Sequence, residues 1–221
     1  MSAALLTLAD SRLPAGGHTH SGGVEQGIEA GLVHDPRSLA TFLHRRLVTA
    51  GAVAAGLAAA ACGAAGDRGA LDALDAEADA RTPSPALRAA SRQQGRGLVR
   101  VGRRAWPTLD WDALPPTPHH AVALGVAAAV AGLTARDAAS AAAYLSVSGP
   151  ATAAQRLLAM DPLTVAAVTA RLSSEIDAVA GTSAAPQGHG GHVGPLPAAA
   201  DPLLDLLAEV HAVRNDRFFA S

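Results

Sequence analysis

The sequence is poor in aromatic residues and cysteine, and it carries almost no net charge. Aromatic side chains make up 3% of the 221 residues, and Cys62 is the single cysteine. One cysteine excludes an internal disulfide framework and a cysteine-based zinc site, and it fits a reducing compartment. The formal net charge of −2 offers no electrostatic footprint for nucleic acid or an anionic membrane surface.

Small apolar residues take the place of the missing aromatics. Hydrophobic residues make up 49% of the chain, which is far too many for a disordered protein. Alanine is the best helix former, and alanine-rich helices can approach one another closely. We therefore predict an all-α fold, a single-domain helical bundle over residues 1–221. The apolar run Ala50–Ala65 is short for a membrane span, and Met1–Ala9 lacks a basic signal-peptide region, so we predict a cytoplasmic protein.

Local signals predict where several helices begin and end. The clearest start signals are Asp35–Pro36, Thr134 with Asp137, and Asp201–Pro202. Ser21 is predicted to cap a further helix, and Ser148–Pro150 to end one. His119–His120 follows a proline at a helix start, where we expect a neutral, exposed pair.

The glycine-rich stretch Arg12–Gly27 is the first candidate site. It presents His18 and His20 one residue apart, ahead of a helix that carries Glu25. Alternate residues of an extended segment share a side, so the two histidines could be metal ligands. They could equally be hydrogen-bonding groups that fix a tight loop, because a metal site needs three or four ligands.

Two segments near the C-terminus are the other candidates. Residues 181–200 are rich in glycine, proline and histidine without periodicity, so we predict a flexible loop whose His189 and His192 are weak nickel candidates. Residues 201–221 are predicted as a docking helix and tail. The tail carries Phe218 and Phe219, and aromatic residues held at a chain end are typical of an anchor that docks on its own core or on a partner.

Three blocks of the sequence resemble the UreF family of urease accessory proteins. The first, LPAGGHTHSGGVE, is similar to the family form LPxGxFSYSxGLE, with His18 and His20 in place of the aromatic pair. Gln155–Leu158 resembles the start of a second family block. The ending PLLDLLAEVHAVRNDRFFAS is similar to the family ending and includes Arg217 and Ser221.

The resemblance implies an all-α accessory protein that commonly dimerises. It would couple a UreG-like GTPase to a UreD-like (or UreH-like) scaffold on apo-urease while nickel is inserted. By this analogy the scaffold would contact the C-terminal residues Arg217, Phe218, Phe219 and Ser221, and residues His18 to Glu25 would help to shape the GTPase side.

The residues alone show no catalytic constellation and no glycine-rich loop with a lysine, so we predict a protein that is not an enzyme and has no resident cofactor, with nickel at most a transient ligand. Two alternatives stay open. One is a metal-dependent helical enzyme that uses His18, His20 and Glu25, with His211 as a possible fourth group. The other is a generic helical adaptor with neither metal nor urease partners.

Overall fold

A computed structural model describes residues 2–10, 13–107, 111–184 and 195–221. Within these ranges the chain forms helices and no strand, which confirms the predicted all-α fold. The helices are α1 (Ala3–Ala9), α2 (Val24–Glu29), α3 (Pro36–Arg46), α4 (Ala52–Gly63), α5 (Arg68–Ala80), α6 (Pro85–Ala105), α7 (His120–Val130), α8 (Ala135–Leu157), α9 (Pro162–Arg171), α10 (Ser173–Ser183) and α11 (Pro202–Ala212). A π-helical turn, Leu47–Gly51, joins α3 to α4.

Helices α4, α7 and α8 pack together at the centre, and α6, α10 and the outer helices surround them. Their contacts are built from small residues: Ala58 and Ala127 are fully buried, and Gly125 of α7 lies directly on the Ala58 carbonyl of α4. A side chain at Gly125 would collide with that backbone. Alanine and glycine therefore allow the helix backbones to approach closely. The dispersion contacts between these closely packed backbones stabilise a core that has few aromatic residues.

The continuous helical stretch Pro36–Gly63 is long and apolar enough to cross a bilayer by length and composition alone. Half of its most apolar window is buried inside the protein, and core helices of soluble proteins pass the same test. This burial agrees with the prediction that the apolar run is a core helix.

The predicted helix starts are confirmed by their caps. Asp35 Oδ1 accepts the Ser38 N–H at 2.7 Å, and Asp201 Oδ1 accepts the Leu203 N–H at 3.1 Å. Thr134 and Asp137 cap each other's backbone reciprocally. These signals were readable because each cap is complete within four residues of sequence.

Two predicted boundaries are wrong. Helix α2 begins after Gly23, which has a φ of 88° and is its N-cap residue, so the predicted N-cap Ser21 lies two residues too early. The Ser21 Oγ still accepts the Glu25 N–H, at 3.5 Å. Helix α8 does not end at Ser148–Pro150 but continues through Pro150 to Leu157. A proline leaves the carbonyl four residues earlier without its helical donor. Here that carbonyl belongs to Ser146, and Arg46 Nε donates to it at 3.0 Å, so the helix tolerates the proline.

The segment predicted as a flexible loop, residues 181–200, is described at its two ends. Its first three residues belong to helix α10, which reaches Ser183. Residues 185–194, with His189 and His192, lie outside the described residues. Leu196 is buried, and Pro197 lies on Gly56 of α4, so the end of the segment is packed against the core.

Candidate functional site

The N-terminal loop and the C-terminal tail meet and bind each other. The loop turns at Gly16, which has a φ of 89° that glycine adopts without strain, and it reaches α2 at Gly23. The tail runs alongside it. The Ala220 N–H donates to the Thr19 carbonyl at 2.7 Å, and the Ser21 N–H donates to the Ser221 carbonyl at 2.5 Å. We call this junction of residues 217–221 with residues 19–25 the C-terminal clasp.

Glu25 is the centre of the clasp. Its carboxylate accepts the Phe218 N–H at 2.7 Å and the Phe219 N–H at 3.0 Å. Its Oε2 also lies 3.0 Å from Nε2 of His211, and both side chains are only 2% exposed. One buried carboxylate therefore ties α2, α11 and the tail together.

The environment of Glu25 keeps it ionised. Burial raises the pKa of the carboxyl group, but the hydrogen bonds from His211 and from the Phe218 and Phe219 N–H groups outweigh burial and hold that pKa below its usual value. A charged acceptor makes stronger hydrogen bonds than a neutral one. The clasp consequently depends on the charge of Glu25.

His20 forms the second side-chain contact of the clasp. Its Nδ1 lies 2.6 Å from Ser221 Oγ, and the ring is buried. Burial, with a smaller contribution from the nearby His18, lowers the pKa of His20 to about 4. His20 is therefore neutral at physiological pH. His18, in contrast, is exposed on the loop surface.

Exposed apolar residues lie on α11 and on the segment that follows it. Leu206 and Val210 of α11, and Val213 directly after its end, are exposed at helical spacing, and Val213 is 79% exposed. Phe218 follows on the tail with 84% of its surface exposed, whereas Phe219 is partly buried against the core. We call Leu206, Val210, Val213 and Phe218 the apolar docking face. Phe218 stands out in the sequence as an aromatic residue near the chain end, whereas Leu206, Val210 and Val213 are signalled only by their helical spacing.

The predicted site residues thus divide into two groups. Glu25, His20, Phe219 and Ser221 build the clasp itself, so Glu25 and His20 can influence a partner only through the segments they hold. Phe218, Arg217 and His18 are exposed. Whether any of them binds a partner stays a prediction.

The structure does not assemble the proposed histidine–glutamate metal centre. Glu25 contacts His211, while His20 contacts Ser221. In the part of the chain that the structure describes, the one group of three ligand atoms within 4.8 Å of one another is Asp75, Asp79 and His119. Nickel binding by His18 or His20 stays a prediction, and so does nickel binding by His189 and His192.

The Asp75 cluster is better explained as a satisfied ion network. Arg92 donates to Asp75 at 2.8 Å and to Asp79 at 2.6 Å, and His119 Nε2 lies 2.9 Å from Asp79. Burial raises the pKa of the Asp79 carboxyl group, but His119 and Arg92 together hold it below its usual value. The expectation that His119 is exposed is wrong, because Ser91 and Asp79 bind both ring nitrogens inside the protein. A metal here would have to displace the guanidinium.

A cavity of about 390 Å³ lies behind the clasp. It is bounded by the N-terminal loop, by α6, α7 and α8, and by Phe219 of the tail. His20 and His120 both line it, and burial, with His20 as a smaller cause, lowers the pKa of His120 to about 4.

The fold and the site together define an all-α protein whose tail is clasped to its N-terminal loop beside an exposed apolar face. Residues 33–173 match the model of the UreF family. The chain is 52% identical to the urease accessory protein UreF of Mycolicibacterium vanbaalenii over 219 residues, covering 99% of this chain and 98% of that protein. It is 53% identical to the UreF of Mycobacterium marinum over 221 residues, again covering 99% and 98%. The UreF of Mycobacterium tuberculosis strain H37Ra is 47% identical over 221 residues, with the same coverage. The chain belongs to the UreF family of urease accessory proteins.

Proposed function

We propose that this protein couples a UreG-type GTPase to a UreD/UreH-type scaffold on apo-urease during assembly of the nickel centre. The observation that carries the proposal is the apolar docking face. Large exposed apolar side chains that share one helical face mark interaction sites, and aromatic anchors contribute most of the energy of such contacts. In a protein of this family, a urease accessory partner is the occupant that fits.

The scaffold is the partner proposed for the apolar docking face. The Phe218 side chain is exposed on the tail, while the backbone N–H groups of Phe218 and Phe219 are fixed by hydrogen bonds to Glu25. The anchor is therefore pre-organised, which reduces the entropy lost on binding. Arg217 beside it is exposed and offers a donor at the rim.

The GTPase is the partner proposed for the N-terminal loop. His18 is exposed there, and the loop is held by the same clasp that positions Phe218. The two proposed surfaces therefore share one set of hydrogen bonds. Nickel would be cargo of the assembled complex and not a resident cofactor of this chain. A homodimer is proposed on family grounds alone.

Co-purification with a UreD-like scaffold tests the docking face. Val213→Asp places a charge on that face without touching the clasp. Leu163→Asp is the matched control, because Leu163 is also highly exposed, at 80%, but lies elsewhere on the protein. It belongs to α9, which packs against α3, α8 and α10, whereas α11 packs against α2 and α6. We expect Val213→Asp to lose the scaffold and Leu163→Asp to retain it. Equal retention of both folded variants would refute the assignment of this face.

The metal-dependent enzyme has no such support, because His18, His20 and Glu25 do not converge on one point. A stoichiometric nickel titration of the protein alone would separate it from the accessory role. The generic adaptor would be favoured if neither scaffold nor GTPase bound the folded chain.

A further inference from the structure

Arg46 is a positively charged group whose charge no acidic residue balances. It is the last residue of α3, and its Nε donates to the Ser146 carbonyl at 3.0 Å. Among the described residues, no ion pair to Arg46 is present, and neither terminal nitrogen of its guanidinium has a hydrogen-bond partner. Most buried guanidinium groups are paired with carboxylates. Arg46 lines the cavity behind the clasp, and it also lines a smaller neighbouring pocket.

The Arg46 side chain is held firmly in this position. The guanidinium lies against Gly22, where a Cβ atom would approach its central carbon to 3.2 Å. Its Nε binds the Ser146 carbonyl, which Pro150 leaves without a helical donor, so α8 helps to hold the guanidinium in place. Burial lowers the pKa of Arg46 to about 10, which still leaves it fully charged near neutral pH.

The other polar groups of the cavity do not neutralise this charge. Arg156 adds a second, exposed cation, and Asp10 already has an interaction of its own. His20 and His120 are neutral because burial lowers the pKa of each to about 4. A cation would be repelled by Arg46, whereas an anion would find two free donor nitrogens and neutral imidazoles around it.

The shape and lining narrow the ligand further. The volume of about 390 Å³ falls in the range of small-molecule pockets, and much of the wall consists of apolar side chains: Leu8, Leu13, Leu98, Leu124, Leu145 and Phe219. A cavity with one charged donor fork and leucine walls suits a molecule with a carboxylate head and a short apolar body. An inorganic oxyanion would leave those walls unused.

We propose that this cavity binds a small aliphatic monocarboxylate, with its head on the Arg46 guanidinium and its body among the leucines. The site is distinct from the docking face, and it does not depend on the urease partners. Because Phe219 lines the cavity and belongs to the clasp, an occupant would contact the tail from behind.

The test is a titration of the isolated full-length protein with butyrate, acetate and inorganic phosphate at constant ionic strength. Nitrogen-15 NMR of the Arg46 Nε–H follows the site in the unmodified protein. We expect saturable shifts, with butyrate binding roughly tenfold more tightly than acetate because two more methylenes are buried. Phosphate should bind more weakly than either.

Arg46→Gln removes the positive charge from the site. The glutamine amide can still donate to the Ser146 carbonyl but lacks the charge, and we expect at least a tenfold weaker affinity for butyrate, measured by calorimetry. Arg37→Gln is the matched control, because Arg37 is an exposed arginine of the same helix that does not line the cavity, and it should leave the affinity unchanged.

Three results would overturn the proposal. Absent or unsaturable shifts of the Arg46 resonance in the unmodified protein would show that no free carboxylate binds. If Arg46→Gln then failed to bind the scaffold, the group bound by Arg46 would be a carboxylate of a partner chain. Phosphate binding as tightly as butyrate would show a general anion site. Stoichiometric nickel binding that shifts the His20 and His120 resonances would show that the cavity takes a cation.

Discussion

Replacing Glu25 with glutamine removes one charge from the centre of the clasp and changes almost nothing in size. In the native protein, Oε2 receives both His211 and the Phe219 N–H, while Oε1 receives the Phe218 N–H. Glutamine has a single acceptor oxygen, so its amide group must face at least one donor. Hydrogen bonds to a charged acceptor contribute about 1 kcal/mol more than neutral ones, and three are weakened, so we expect about 3 kcal/mol of lost stability.

Urea unfolding at pH 7.5 measures this loss, and hydrogen exchange locates it. The amides of residues 217–221 should exchange faster in Glu25→Gln, because the tail loses its anchor. Glu29→Gln is the matched control on the same helix: its carboxylate is exposed and lies 3.8 Å from Arg214, so the cost should stay below about 1 kcal/mol.

The pH dependence provides an independent check on the reasoning. The folded-state pKa of Glu25 lies below its ordinary value of 4.5, so its contribution is complete above pH 4.5 and is lost as the pH falls through the folded-state pKa. The difference between the wild type and Glu25→Gln should therefore shrink in acid. A difference below 1 kcal/mol at pH 7.5, or unchanged exchange of the tail, would refute the view that Glu25 holds the clasp.

Three further predictions concern the rest of the fold. The pKa of His20 is about 4 in the folded protein against 6.5 in the unfolded chain, so the unfolded chain takes up the proton first as the pH falls. From His20 alone, the wild type should be about 2 kcal/mol less stable to unfolding at pH 5 than at pH 7.5. His20→Gln should lose that part of the pH dependence. Asp75→Asn removes the charge of a buried carboxylate that binds Arg92, so we expect a loss of about 2 kcal/mol in urea unfolding. An unchanged midpoint would contradict the ion network. Gly125→Ala should lower the free energy of unfolding by more than about 2 kcal/mol, because its Cβ meets the Ala58 carbonyl. Gly63→Ala is the control: its Cβ faces open space in a helix, so it should be neutral or stabilising by about 0.5 kcal/mol. Thermal unfolding of the two variants measures the difference.

The sequence predicted the features whose causes are local. The caps at Asp35, Thr134 and Asp201 are each completed by a neighbour within four residues, and the all-α fold follows from composition and periodicity. The chain-end aromatics also indicated a docking tail, because such residues are unusual at a terminus. Each of these inferences needed only one segment at a time.

The features that sequence reasoning missed depend on residues far apart in the chain. Glu25 and His211 are separated by 186 positions, so nothing local showed that they form a buried pair. His119 was expected to be exposed, but its ring is bound by Asp79 of α5. Pro150 was read as a helix end, because the donor that rescues its helix is Arg46, 100 positions from the Ser146 carbonyl that it binds.

A reconstitution tests whether this chain links a GTPase to a scaffold. A UreD-like scaffold is immobilised, a UreG-like GTPase with GTP is added, and retention of the GTPase is measured with and without this protein. Point substitution is preferable to removal of the tail, because loss of residues 217–221 would leave buried Glu25 without two of its donors. We expect the GTPase to be retained only when the wild-type chain is present and to be lost with Val213→Asp. Retention of the GTPase in the absence of this chain, or equally with Val213→Asp, would contradict it.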